Sequence, residues 1–295
     1  MRFWQFLRFT EPAQLPRLAR IAEEAGFHGV MLADHIAFPE QVDSEYPYDP
    51  SGKPFWDPSV PWPDPWSSIA AMAAVTTRIC FSTNVCVTPL RHPVELARTL
   101  ATLSSLSGNR VALGSGAGWM REEFEIMGVD FKSRGQRYDE MIDLMRTLWR
   151  GEMADFQGEI FRMPRMQMSP TPAGKIPIYL AGGARPAMRR AARMGDGWIA
   201  GDFTMKTLPG MISTLSAMRT KAGRAGEPFR IITPTRAAAV DTYRRLEDMG
   251  VTDIINLPEM DEIGPAASES QKADYIKRFA ETYLPHFDDE VATAH

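Results

Sequence analysis

Two cysteines, Cys80 and Cys86, are all that 295 residues contain. No disulfide framework can be built from them, and both lie in an apolar stretch, so they read as reduced core residues of a cytosolic protein. Histidine is almost as scarce. His28, His35, His92, His286 and His295 include no His-x-His and no close ligand pair, which argues against a metal-dependent barrel hydrolase and leaves no metal site to expect. No apolar run approaches the roughly 20 residues that span a bilayer, and the opening MRFWQFLRF lacks the apolar core and cleavage site of a signal peptide. Basic blocks are missing too. With a formal net charge of −4, nucleic-acid and membrane-surface partners are poor expectations.

What is present is enough to fold alone. Hydrophobic residues make up 44% of the chain, sufficient for a large core without metals or cross-links. Their spacing alternates between strand and helix periods. RFWQF reads as a first strand, followed by a helix over 12–25 with Leu15, Leu18, Ala19, Ala22 and Ala25 on one face. GVMLA is a second strand. RICFSTNVCV, RVALGSG, IPIYLAG, GDGWIAG, FRIIT and DIINL follow as six more. Helices are expected at 66–75, 94–106, around 138–149, 186–194, 205–224, 236–249 and near 271–283. Tyr138, Met141, Ile142, Met145, Leu148 and Trp149 give the clearest helical stripe. About eight βα units with no break in composition predict one domain over 1–295. An open doubly wound sheet is the alternative to a closed (β/α)8 TIM barrel, and eight uninterrupted units favour closure.

One segment resists the alternation. Residues 36–64, after the second strand, hold seven prolines and can be neither regular helix nor strand. A loop of that length in a compact domain is usually functional or disordered. Tyr46, Tyr48, Phe55, Trp56 and Trp62 argue against plain disorder.

In a barrel, function sits at the C-terminal ends of the strands, and four of those ends are unusual. The second stops on Asp34 and His35. These are either a capping acid beside a packed imidazole, or a proton-transfer histidine oriented by its acidic neighbour. The third carries polar Ser82, Thr83 and Asn84 where the barrel wall should be apolar, either bonded to one another or receiving a ligand. The fourth ends in Gly114, Gly116 and Gly118, which suit a tight turn or close approach of a ligand to the backbone, but match neither a P-loop nor a dinucleotide fingerprint. The fifth ends in Gly182-Gly183, and Ala184-Arg185-Pro186 opens a helix. That is an ordinary strand-to-helix turn or a phosphate site built from free N–H groups and an arginine.

Together these segments resemble the luciferase-like monooxygenase superfamily, most closely its branch of oxidoreductases that use the deazaflavin coenzyme F420. The resemblance is carried by AEEAGFHGVMLADH, by the stretch from RICFSTNVCVTPLRHP through GSGAGWMREEFEIMGVDFKSRGQRYDE, and by PIYLAGGARPAMRRAARMGDGW. They cover roughly residues 20–35 and 65–200 in the family's order. It implies a barrel with an insertion and a flavin or deazaflavin in its mouth. It also implies a non-prolyl cis peptide at Asn84–Val85 behind the cofactor ring, with Thr83 beside it. The phosphate contacts would fall at Gly116, Ala117 and Gly118 and at Gly182, Gly183 and Ala184, with His35 at the reactive face. The chain departs from the family's sugar-phosphate dehydrogenases in having Trp119 where they carry a catalytic glutamate, so a sugar phosphate is not the expected substrate. The aromatic insert points instead to a small apolar or ring-shaped organic molecule. The expected reaction is hydride transfer with coenzyme F420. The rival is an FMN-dependent monooxygenase fed by a separate reductase, and a third possibility is a cofactor-binding protein without catalysis. A homodimer is implied by the family.

Overall fold

A computed structural model describes residues 1–236, 238–258, 263–264 and 266–287. The first strand, β1 (Arg2–Phe6), is followed by a 3-10 turn at Pro12–Gln14 and α1 (Leu15–Glu24), and then by β2 (Gly29–Leu32). Proline sits in the first turn of α1, where its missing N–H costs nothing. Residues 33–64 contain no regular helix or strand. Next come α2 (Pro65–Ala73), β3 (Cys80–Thr83), β4 (Cys86–Val87), α3 (Pro93–Ser107) and β5 (Leu113–Gly116). The Asp64 carboxylate caps α2 by accepting the Ser67 N–H at 2.8 Å. Then follow α4 (Arg121–Ile126), α5 (Arg134–Trp149) and an antiparallel hairpin, β6 (Ala154–Gln157) with β7 (Arg162–Met166). The chain continues through β8 (Ile178–Ala181), α6 (Arg185–Met194), β9 (Gly197–Ile199), α7 (Leu208–Lys221), β10 (Arg230–Thr235), α8 (Val240–Asp248), β11 (Asp253–Asn256) and α9 (Glu269–Tyr283).

Nine strands form one parallel sheet in the order β3-β2-β1-β11-β10-β9-β8-β5-β4. A bridge between Phe81 and Val111 brings β3 against the approach to β5 and closes the ring. β3 and β4 are one wall position interrupted by Asn84–Val85, so the eight expected strands and the (β/α)8 barrel are present. The expected helix over 236–249 is shorter, Val240–Asp248, and Ala237 lies outside the described residues. The hairpin β6–β7 and the short α4 were not foreseen. β6 alternates half-buried with exposed residues, but β7 breaks the alternation at Pro164 and Arg165, so the surface ribbon carries too weak a pattern to stand out.

The core has two main parts, with smaller buried clusters around Phe9 and Phe124. The larger lies between helices and sheet and includes Leu15, Leu18, Phe81, Leu100, Met141, Ile178 and Trp198. The smaller fills the barrel interior with Trp4, Phe6, Met31, Ala112, Tyr179, Ile199, Ile232 and Ile255, and half-buried Ala33, Val85, Ala181 and Leu257 pack against it. Side chains alternate across each strand, so Trp4 and Phe6 face inward while Phe3 faces the helices. Gly29 is needed for this filling, because a Cβ there would stand 2.2 Å from the Trp4 ring.

Candidate active site at the C-terminal barrel mouth

β2, β3–β4, β5 and β8 are consecutive neighbours around the ring. Their C-terminal ends therefore form one arc, and the loops that looked unusual in sequence meet there. Asn84 N–H donates to Leu32 O at 2.7 Å, so the turn after β3 is seated beside the end of β2, three residues before His35. The Asn84–Val85 peptide is cis, as the resemblance implied. Val85 is half-buried and leans on β5: a Cβ at Gly116 would come within 2.7 Å of Val85 Cγ2. Ala117 and Gly118 continue from there half-buried, with Gly118 against Val87 and Phe124.

A second cradle forms where β8 passes into α6. Gly182 N–H donates to Ile199 O at 3.1 Å, and the Trp198 indole N–H to Gly182 O at 2.8 Å. Gly201, after β9, lies so close that a Cβ on it would be 2.5 Å from the Gly183 nitrogen. Ala184 caps α6 with extended backbone, and Pro186 lies in the first turn. The first N–H groups of a helix have no partner inside it, and exposed Arg185 adds positive charge beside them.

Two expected roles are corrected. Asp34 does not orient His35. Its carboxylate is buried and accepts the Val87 N–H at 3.0 Å and Arg91 Nη2 at 2.6 Å. Burial pushes its pKa up, against the pull of Arg91 and the Val87 N–H. Burial lowers the Arg91 pKa, but Asp34, with Cys86 and Asp64 nearby, more than offsets that and raises it. The pair fastens the β3–β4 turn to the end of β2. Neighbours along an extended chain project to opposite sides, so an acid at 34 cannot easily serve an imidazole at 35. Thr83, expected at the cofactor, is fully buried, and its hydroxyl donates to Gly114 O at 2.5 Å. Its side chain belongs to the wall between β3 and β5.

The group that does hold His35 is Glu123 of α4. Its Oε2 lies 3.0 Å from His35 Nδ1, and its Oε1 accepts the Ile36 N–H at 2.7 Å. Glu123 is 1% exposed and follows the half-buried Glu122, so two acids stand side by side where only the second is fully buried. The hint in the sequence was a charge at a core position of the phase that buries Phe124, too short a pattern to isolate. Around His35 stand Trp62, with ring centroids 4.7 Å apart, and Phe38, Trp56 and Trp119 at about 6 Å. The insert is thus folded over the mouth. Trp56 and Tyr46 are buried against Phe9 after β1, and Trp119 after β5 packs beside them. Tyr48 and Phe55 stay exposed. The Glu122 carboxylate also accepts the N–H groups of Asp43 and Ser44, at 2.8 and 3.0 Å.

Of the other histidines, His28 lies at the opposite end of the barrel, against Trp4 and Arg2, and His92 precedes α3. His295 lies outside the described residues. No helix among the described residues is long and apolar enough to cross a membrane.

The sequence model of one family, luciferase-like monooxygenase, matches residues 3–286. The chain belongs to the luciferase-like monooxygenase family. It is 40% identical over 256 residues to an uncharacterized protein of Mycobacterium tuberculosis (strain ATCC 25618 / H37Rv), covering 86% of this chain and 88% of that one. It is 31% identical over 220 residues to an F420-dependent glucose-6-phosphate dehydrogenase of Nakamurella multipartita, covering 73% of this chain and 59% of that one. Among solved structures, the coenzyme F420-dependent tetrahydromethanopterin reductase of Methanopyrus kandleri superposes with a TM-score of 0.77. The match has 14% identity and covers 97% of this chain and 99% of that one. At that identity the likeness is one of fold. Family membership makes this luciferase-like barrel an oxidoreductase and bears out the resemblance read from the strand ends.

Proposed function

We propose that this luciferase-like barrel transfers hydride between the deazaflavin F420 and a small, apolar organic substrate held under the aromatic insert. The observation that carries the reading is the arc of strand ends. A half-buried histidine stands beside the Asn84–Val85 turn, and a glycine-lined helix start lies further along the same arc. The residues present fit such a cofactor. Ala33, Val85, Ala181 and Leu257 offer small, half-buried apolar side chains at the top of the barrel interior, suited to one face of a flat ring. Gly116 and Gly201 leave room that a Cβ would fill. Gly182, Gly183 and Ala184 present the α6 start to a phosphate.

A bound deazaflavin would supply the two-electron chemistry, accepting or giving hydride at its central ring. The chain's part is to place the substrate and move the matching proton. His35 takes the proton of a substrate hydroxyl as hydride leaves its carbon, or returns it in the reverse direction; such help is worth about 10²–10⁴-fold. Trp56, Trp62 and Trp119 surround the imidazole and keep water from it. The aromatic insert favours an apolar substrate, and Trp119 leaves no carboxylate at that place for a sugar phosphate.

The test is a titration of the purified protein with F420 and with FMN, followed by turnover with alcohols, imines and activated alkenes. Tighter binding of F420 by at least tenfold, with His35→Ala reducing turnover at least 10²-fold and cofactor affinity little, is the expected result. Preference for FMN with oxygen consumption would instead make the protein a flavin monooxygenase. Intact turnover in His35→Ala would remove the histidine from the reaction.

A further inference from the structure

Glu123 is an expensive residue for its place. It is almost fully buried, on a helix of only six residues. A buried carboxylate is tolerated only when paired and hydrogen-bonded. Its ion-pairing partner among the described residues is His35, and its second oxygen is taken by a backbone N–H that belongs to Ile36. The two bonds close a ring through consecutive residues: carboxylate to imidazole, imidazole to backbone, backbone to carboxylate. Neither oxygen can swing away without breaking the other contact.

We infer that Glu123 is the positioning residue of the site, holding the proton of His35 on Nδ1 so that Nε2 is the nitrogen that exchanges protons with the substrate. A carboxylate only accepts hydrogen bonds, so the nitrogen facing it must donate. In neutral histidine that leaves Nε2 with its lone pair. The assignment rests on the reading of His35 as the proton-transfer group, and it extends that reading to a named atom. It also explains why the insert and the histidine are gripped together. Ile36 is the first residue of the insert, and α4 holds the segment twice more through Glu122 on Asp43 and Ser44. The turn that sets the imidazole is the turn that seats the cover over it.

The decisive measurement needs neither cofactor nor substrate. Long-range ¹⁵N correlation spectra of the ring nitrogens, with His35 assigned from the spectrum of His35→Gln, are recorded across a pH titration of the full chain. The expected result is that Nδ1 of His35 keeps its proton throughout and only Nε2 loses one. If Nδ1 is the nitrogen that deprotonates, the inference is overturned, whatever the protein's reaction proves to be. Glu123→Gln supplies the second arm. Its amide can donate to Nδ1 and still accept from Ile36, so the neutral tautomer should switch to Nε2–H. With an active substrate in hand, kcat should then fall about 10²-fold or more while KM changes little. An unchanged ring-nitrogen pattern in Glu123→Gln also overturns the inference. A confirmed tautomer with no F420-dependent turnover would leave the assignment standing and remove only the proposed reaction.

Discussion

Arg91→Met tests how the active-site arc is fastened. Asp34 has a 2%-exposed side chain that accepts from Arg91 Nη2 at 2.6 Å and from the Val87 N–H at 3.0 Å, with the Cys86 thiol hydrogen-bonded beside it. Methionine keeps much of the arginine's length but removes the charge, so the carboxylate is left buried without its cation, with only the Val87 N–H and the Cys86 thiol beside it. Removing one partner of a buried pair costs about 3–5 kcal/mol. The unfolding entropy of about 2.1 cal/mol/K per residue, over 295 residues, comes to about 0.6 kcal/mol/K. Dividing the first by the second predicts a fall in Tm of about 5–8 °C at pH 7. Burial already holds the Asp34 pKa above its ordinary value. Between those two values the folded chain binds more protons than the unfolded one, so stability falls as pH rises. Without Arg91 that interval widens. The variant's deficit should therefore be small in acid and grow toward neutrality. Thermal unfolding followed by circular dichroism at several pH values reads both effects, and Asp34→Asn in the same chain should recover most of the loss. A fall of less than about 2 °C, or no recovery in the double variant, would refute the claim that an ion pair anchors the turn.

Two other perturbations follow from the same geometry. His28 has its pKa pressed down to about 3, chiefly by burial and then by the charges of Arg2 and Arg230. The unfolded chain takes up this proton near pH 6.5 and the folded chain does not, so stability is lost as pH drops from about 6.5 toward 3, by up to about 1.4 kcal/mol per pH unit. His28→Gln should flatten that acid limb in urea titrations, and an unchanged limb would show that His28 is not the group responsible. Gly201→Ala places a methyl 2.5 Å from the Gly183 nitrogen. Backbone must then move at the phosphate cradle, and cofactor affinity should drop at least tenfold with a smaller loss of Tm. Unaltered affinity would move the phosphate elsewhere.

The barrel was legible because its determinants are local. Strand and helix periods, with Gly and Pro between them, predict all eight wall positions, and the helix over 94–106 is observed as Pro93–Ser107. The surface hairpin β6–β7 escaped because short, half-exposed strands such as RMPRM, with apolar residues three apart, lack the period-two pattern of a strand. At the site, glycines could be placed on the mouth from their positions at strand ends. Side-chain partnerships could not be inferred from their order along the chain. Asp34 stands next to His35 in sequence and bonds to Arg91, 57 positions away, while His35 bonds to Glu123, 88 positions away.

The sequence by itself determined the alternation of strands and helices, the placement of glycines and a histidine at strand ends, and the presence of a proline-broken aromatic cover, since each depends on backbone preferences and hydrophobic period within a few residues. Only the tertiary structure decided which acid serves the imidazole, which threonine is wall rather than site, and where the cover is held. Those outcomes depend on directions that side chains take when distant strands are brought into register, and adjacent residues of an extended chain point apart.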